Sequence, residues 1–104
     1  MLAETGRGGE PPAATAHRDS FDDVGKAGDA VAAIIAAGII PAGLEMMDRP
    51  ATRAVEEFVH AGYDLDAAAI LLCESDGTPE EVENEIERME AVFVRAGATR
   101  TQVS

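Results

Sequence analysis

Few side chains in this sequence of 104 residues commonly perform chemistry, and Cys73 is the first to consider because it is the one cysteine. It lies at the end of an apolar run, Ala67 to Cys73, and no histidine or basic residue is near it in sequence. A cysteine reacts as its thiolate, which needs a neighbouring positive charge or base. We therefore predict a buried, inert thiol. A single cysteine also excludes an internal disulfide and a cysteine zinc site.

The other candidates are two histidines and one glutamate. Two histidines, His17 and His60, are too few for a metal site of ordinary spacing. We predict that His17 is exposed and inert, and that His60 lies on the surface in the last turn of a helix. Glu45 would matter if it pointed into a cleft, but an exposed position is favoured. Met46 and Met47 are expected to pack in the core rather than bind a ligand. The residues alone assign no catalytic, cofactor-binding or metal-binding role.

The net charge of -12 limits the partners of this chain. One base, Arg88, stands among eight acids, which are Glu74, Asp76, Glu80, Glu81, Glu83, Glu85, Glu87 and Glu90. A negative field repels phosphate backbones and anionic lipid, so we expect no nucleic-acid partner. The acids are interpreted as a solvated helix face near a capped N-terminus, with a cation-binding or partner-facing patch as the alternative. Their spacing does not match a calcium loop.

Composition predicts one small, aliphatic domain. Aromatic residues make up 4% of the chain and tryptophan is absent, which leaves no aromatic platform for stacking bases. The longest apolar stretch, residues 30–44, is too short and interrupted to cross a bilayer, so membrane insertion is not expected. The N-terminus lacks the pattern of a secretory signal. Together with the single cysteine, this predicts a reducing, cytoplasmic location.

The stretch Asp66–Gly77, DAAAILLCESDG, is predicted to be the central strand, because an apolar run without alternation indicates a strand covered on both faces. Hydrophobic periodicity and capping residues predict the helices Phe21–Ala37, Pro50–Ala61 and Pro79–Ala96. Ser20, Asp48 and Thr78 are the predicted caps. Shorter strands are predicted at Ile39–Met47 and Thr99–Val103.

This order predicts an α+β fold: an incomplete ferredoxin-like antiparallel sheet with helices on one face and an extra helix between the middle strands. Residues 1–19 are rich in Gly, Pro, Ala and Thr without a period, which predicts a disordered or poorly ordered N-terminal arm. The domain is then residues 20–104. The first strand of the ferredoxin-like arrangement would be missing, and its loss would leave a gap or an exposed sheet edge.

Segments of the chain resemble the C-terminal cap domain of FAD-linked oxidases of the glycolate oxidase D-subunit and D-lactate dehydrogenase type. The pieces that carry the resemblance are Ile39–Asp48, His60–Tyr63 and Ala69–Gly77, and the similarity covers residues 20–104. Members of that family oxidise D-2-hydroxy acids by hydride transfer to FAD, which a separate N-terminal domain mainly holds. The resemblance therefore implies a truncated cap domain that closes over substrate.

In some family members a histidine-rich motif and an arginine further along the cap bind metal and the substrate carboxylate. The histidine-rich motif would lie beyond Ser104, and the resemblance carries no catalytic, cofactor-binding or metal-binding residue onto this chain. FAD belongs to the parent family and is not expected to bind this chain alone.

Three functional hypotheses follow. The first is a fragment of a flavin-dependent D-2-hydroxy-acid dehydrogenase, a gene remnant or a short reading frame, that is inactive by itself. The second is a stand-alone α+β interaction module that forms a homodimer or binds a flavin-binding domain or subunit through an exposed sheet edge. The third, a regulatory domain for a small ligand, depends on fold analogy alone.

Overall fold

The computed structural model describes residues 13–103, which form one four-stranded antiparallel sheet and three helices. In chain order the elements are β1 (Ala13–Phe21), α1 (Val24–Ala36), β2 (Gly43–Asp48), α2 (Arg49–Val59), β3 (Ala69–Gly77), α3 (Pro79–Arg95) and β4 (Arg100–Val103). The strand order β2-β3-β1-β4 is the ferredoxin-like arrangement, with α2 as an additional helix between β2 and β3. The predicted α+β class, antiparallel sheet and extra helix are confirmed.

The first strand is present, and the prediction that it is missing is wrong. β1 pairs with β3 from Ala13 opposite Gly77 to Phe21 opposite Ala69, and it also pairs with β4. The prediction of a poorly ordered arm is therefore wrong for residues 13–19, while residues 1–12 lie outside the described range. The error arose because His17 and Asp19 occupy inward-facing positions, where an apolar alternation would have indicated a strand.

The central strand β3 is confirmed, since it is hydrogen-bonded to β1 on one side and β2 on the other. Its two faces differ. Ala69, Leu71 and Cys73 are buried beneath α1 and α3, which lie on one face of the sheet. On the opposite face Ile70 is buried near α2, but Leu72 is only partly buried. The prediction of cover on both faces thus holds for the first half of the strand and is wrong for the second half.

Helix boundaries follow the capping chemistry. Asp48 caps α2 by accepting a hydrogen bond from the Ala51 N–H, and Thr78 and Glu81 form the predicted capping box of α3. The predicted cap of α1 is wrong: Ser20 lies within β1, and Asp23 caps the helix instead.

The hydrophobic core lies between the sheet and the pair α1 and α3. It contains the side chains Phe21, Ala27, Ala30, Ile34, Ile39, Ala69, Leu71, Cys73, Met89 and Phe93. Strand β2 begins later than predicted, at Gly43, so that Pro41 precedes it and takes no part in the ladder. Within the described part of the chain, no helix is long and apolar enough to cross a membrane.

Candidate functional site

The sheet face opposite α1 and α3 is open over the second half of β3, and a cavity of about 350 Å³ lies there. A cross-strand row defines its floor: Glu45 of β2 is opposite Leu72 of β3, and Leu72 is opposite Arg18 of β1. Residues directly opposite in an antiparallel sheet project from the same face. The register therefore brings one arginine and one glutamate, separated by a leucine, to the same open face.

Arg18 is held in place by the loop that follows α2. Its guanidinium carbon lies 4.2 Å from the centroid of the Tyr63 ring, and its Nη1 donates a hydrogen bond of 3.1 Å to the Ala61 carbonyl. Within residues 13–103 no carboxylate oxygen lies within 4.0 Å of this guanidinium. The arginine is thus oriented by neutral groups and keeps donors for an external acceptor.

The loop 60–63 owes its shape to Glu56. The carboxylate of Glu56 accepts hydrogen bonds from the N–H groups of Ala61, Gly62 and Tyr63, at 2.9 to 3.3 Å. Desolvation opposes ionisation, but these three donors outweigh it and hold the pKa of Glu56 below its usual value. His60 adopts a left-handed conformation with φ 49°, which turns the chain out of α2. Glu56 therefore positions the ring against which Arg18 stacks.

Two carboxylates, Glu45 and Glu74, also line the cavity. Glu74 is folded over Gly43, since a Cβ added to that glycine would lie 2.9 Å from the Glu74 Oε1 atom. The missing side chain at Gly43 thus provides the space that keeps Glu74 over β2. Glu45 is exposed, as predicted, although it borders the cavity and so belongs to the candidate site.

His17 lies on the buried face of β1, directly beneath α3, and the prediction of an exposed histidine is wrong. Its Nδ1 is 2.6 Å from Oδ2 of Asp19, and its ring packs edge-on against Phe93. Both side chains are fully buried, and the His17 Nε2 and the Asp19 Oδ1 lack a hydrogen-bond partner within residues 13–103. Desolvation raises the pKa of Asp19 above its ordinary value, and the hydrogen bond with His17 opposes this rise.

Cys73 faces the same core, opposite His17 across the β1–β3 ladder. Desolvation, together with the charge of Asp19, raises the pKa of its thiol to about 12. Such a thiol is protonated at neutral pH and has no access to solvent. The predicted burial of Cys73 is confirmed, and its inertness stays a prediction.

The remaining sequence candidates lie apart from the cavity. His60 is exposed and follows the last residue of α2. Met47 is buried as predicted, but the prediction that Met46 packs in the core is wrong, because its side chain is 48% exposed. The acids of α3 are mostly exposed, and Glu85 accepts a hydrogen bond from Ser75. Among residues 13–103 no group of three potential ligands could hold a metal ion.

Residues 11–104 match the family of FAD linked oxidases, C-terminal domain. The chain belongs to this family. It is 53% identical over 95 residues to glycolate oxidase subunit GlcD of Escherichia coli K12, and 37% identical over 84 residues to the GlcD subunit of Bacillus subtilis 168. These alignments cover 91% and 81% of this chain but only 19% and 18% of the relatives. The chain therefore spans about a fifth of the curated relatives that it matches.

Solved structures agree on the fold. A structure of alkyldihydroxyacetonephosphate synthase superposes with a TM-score of 0.68, covering 83% of this chain and 19% of that one, at 15% identity. At that identity the likeness concerns the fold alone. It supports the α+β arrangement described above.

The described residues do not fit a whole FAD molecule. The cavity offers one arginine beside two carboxylates, whereas the pyrophosphate of FAD needs a cradle of donors or positive charge. Family membership thus places FAD in the parent enzymes.

Proposed function

We propose that this chain acts as one part of the cap of a flavin-dependent oxidase of D-2-hydroxy acids, such as glycolate, and is inactive alone. The observation that carries the proposal is the 53% identity to the E. coli glycolate oxidase subunit over 91% of the chain. The open sheet face supports it, because a cap must present a surface free of its own helices to the rest of the enzyme. FAD is then held by residues outside this chain.

A chimera tests this proposal directly. The matching 95-residue segment of the E. coli subunit would be replaced by the corresponding residues of this chain, in a strain without its own copy. We expect restored growth on glycolate and a flavin-loaded protein, whereas a chimera with a scrambled segment should fail. A well-folded, flavin-loaded chimera that does not oxidise glycolate would contradict the proposal. Stoichiometric FAD binding and glycolate oxidation by the isolated 104-residue chain would contradict its inactivity.

A second candidate is self-association through the edge of the sheet at β2. One side of β2 is not paired within residues 13–103, and its residues Leu44 and Met46 are 40% and 48% exposed. An unpaired edge with apolar side chains favours pairing with another strand. Light scattering over a hundredfold range of concentration distinguishes the two candidates. If the native chain forms a dimer and Met46→Lys dissociates it, self-association through β2 is supported. A native chain that is monomeric at all concentrations rules out self-association.

A further inference from the structure

The open face carries an arginine, Arg18, to which the family match assigns no role. We propose that Arg18, clamped by Tyr63 and the Ala61 carbonyl, is a binding site for the carboxylate group of a small monocarboxylic acid in the cavity above Leu72. This inference uses the proposed function only for the choice of test ligand, because the binding itself needs neither FAD nor catalysis.

The geometry of Arg18 favours a carboxylate. A guanidinium presents its donors in a planar fork that matches the two oxygens of a carboxylate. The guanidinium carbon lies 4.2 Å from the centroid of the Tyr63 ring, and one N–H donates to the Ala61 carbonyl at 3.1 Å, so two contacts restrict the guanidinium. The remaining N–H groups have no acceptor within residues 13–103. A pre-oriented guanidinium loses little side-chain entropy when it binds an anion.

The surroundings limit the charge and size of the ligand. The cavity measures about 350 Å³ and includes the carboxylates of Glu45 and Glu74. Two negative neighbours disfavour a dianion such as phosphate more strongly than a monoanion. They also provide acceptors for a hydroxyl group. A small monocarboxylate, with or without a hydroxyl, therefore suits the cavity better than phosphate or a dicarboxylate.

The contacts of Arg18 cross 43 positions in sequence, from β1 to the loop after α2. They exist only because β1 pairs with β3 and α2 is inserted between β2 and β3.

The test is a titration of the ¹⁵N-labelled chain, followed by NMR at constant ionic strength. The probes are sodium glycolate, inorganic phosphate and the uncharged analogue glycolamide. We expect saturable shifts of the amides near Arg18, Tyr63 and Leu72 with glycolate, with a Kd on the order of millimolar, and none with glycolamide. No saturable shift with glycolate, or equal binding of phosphate, would overturn the proposal.

Two substitutions of Arg18 distinguish the effect of the planar guanidinium donors from the effect of its positive charge. Arg18→Gln should weaken glycolate binding about tenfold or more, and Arg18→Lys, which keeps the charge without the fork, should weaken it measurably. Arg53→Gln is the matched control, because Arg53 is exposed on α2 and away from the cavity. If Arg18→Lys binds glycolate as tightly as the native chain, the proposed pair of hydrogen bonds from the guanidinium to the carboxylate is wrong.

The amide spectrum of each variant checks its folding. If Arg18→Gln proves unfolded, Tyr63→Leu offers a second route, since it removes the stacking surface and should also weaken binding. Unchanged affinity for glycolate in a folded Tyr63→Leu variant would contradict the proposal that Tyr63 orients Arg18 for binding. The titration and the chimera give independent answers: an inactive chimera with an intact glycolate site refutes the proposed function alone, and an active chimera that carries Arg18→Gln without loss refutes the site alone.

Discussion

At the scale of single residues, the main finding is the polar pair inside the core. His17 and Asp19 are two inward positions of one strand, and both are fully buried beneath Phe93 and α3. In each side chain one polar atom takes part in the hydrogen bond between them, and the other polar atom has no hydrogen-bond partner within residues 13–103. A buried pair of this kind stabilises poorly, because the cost of desolvation offsets most of the attraction.

Replacing both residues should therefore not harm the protein. We expect His17→Leu with Asp19→Val to leave the free energy of unfolding unchanged or to raise it by roughly 1–4 kcal/mol, as apolar replacement of buried pairs does. His17→Leu alone should cost roughly 3–5 kcal/mol, since it leaves Asp19 buried without a partner. Urea unfolding of the three chains measures this. A double variant that is less stable than the single one would contradict the interpretation.

The raised pKa of Asp19 also predicts a dependence on pH. Below the unfolded value of about 3.8 the carboxyl is protonated in both states, so it costs nothing. As pH rises from there to the folded pKa, the unfolded state releases its proton first, and stability falls. Asp19→Asn should thus gain stability relative to the native chain as pH rises through this window, and then level off.

The neighbours of Asp19 define the controls for that experiment. His17 donates to it at 2.6 Å, Glu90 lies 3.8 Å from His17, and Cys73 faces the same pair. Asp29→Asn is the matched control, because Asp29 is exposed on α1. Equal pH profiles for Asp19→Asn and the native chain would show that Asp19 does not titrate as described.

At the scale of elements, local sequence sets the helices well. The capping box of α3 joins Thr78 and Glu81 through two reciprocal hydrogen bonds of 2.9 and 3.1 Å. The two residues that form it lie three positions apart in sequence, so tertiary structure is not needed to place them. For the same reason Asp48 was identified as the cap of α2.

Removing the α3 cap should destabilise the whole domain. Thr78→Ala leaves the Glu81 N–H without its acceptor and should cost about 1 kcal/mol, with a range of 0.5–2. Thr78→Ser keeps the hydroxyl and should lose much less. Thermal unfolding of both variants measures the difference. If alanine and serine are equally stable, the hydrogen bond contributes nothing.

At the scale of the whole molecule, charge dominates. There are 20 acidic and 8 basic side chains, and within residues 13–103 the one lysine-carboxylate pair joins Lys26 to Asp22. Such an excess of negative charge destabilises the compact state by self-repulsion. Added salt screens this repulsion, since the Debye length falls from about 30 Å at 0.01 M to about 3 Å at 1 M.

The melting temperature should therefore rise with sodium chloride. A variant with Glu83→Gln and Glu87→Gln, both on the exposed acidic face of α3, should be more stable than the native chain at low salt and respond less to salt. Calorimetry at about 0.01 M and about 1 M sodium chloride measures the melting temperature of both chains. A melting temperature that falls with salt, or identical salt responses, would contradict this explanation.

Much of the fold was predictable, and the candidate site largely was not. Helix caps, helix faces and the apolar run of β3 depend on neighbours within a few positions, so the sequence predicted them and, through them, the α+β class. Glu45 was recognised as a residue that would matter in a cleft. Arg18 and Tyr63 were missed, because they lie 45 positions apart and neither carries a local signal.

The sequence by itself determined the helices, their caps, the central strand, the negative charge and the family resemblance. Only the tertiary structure decided that residues 13–21 form a strand, that His17 and Asp19 are buried, and that Arg18 stacks on Tyr63. The physical reason is that a strand is stabilised by partners distant in sequence. β1 pairs with β3 and β4, and these partners can place polar residues inside a core against their own preference.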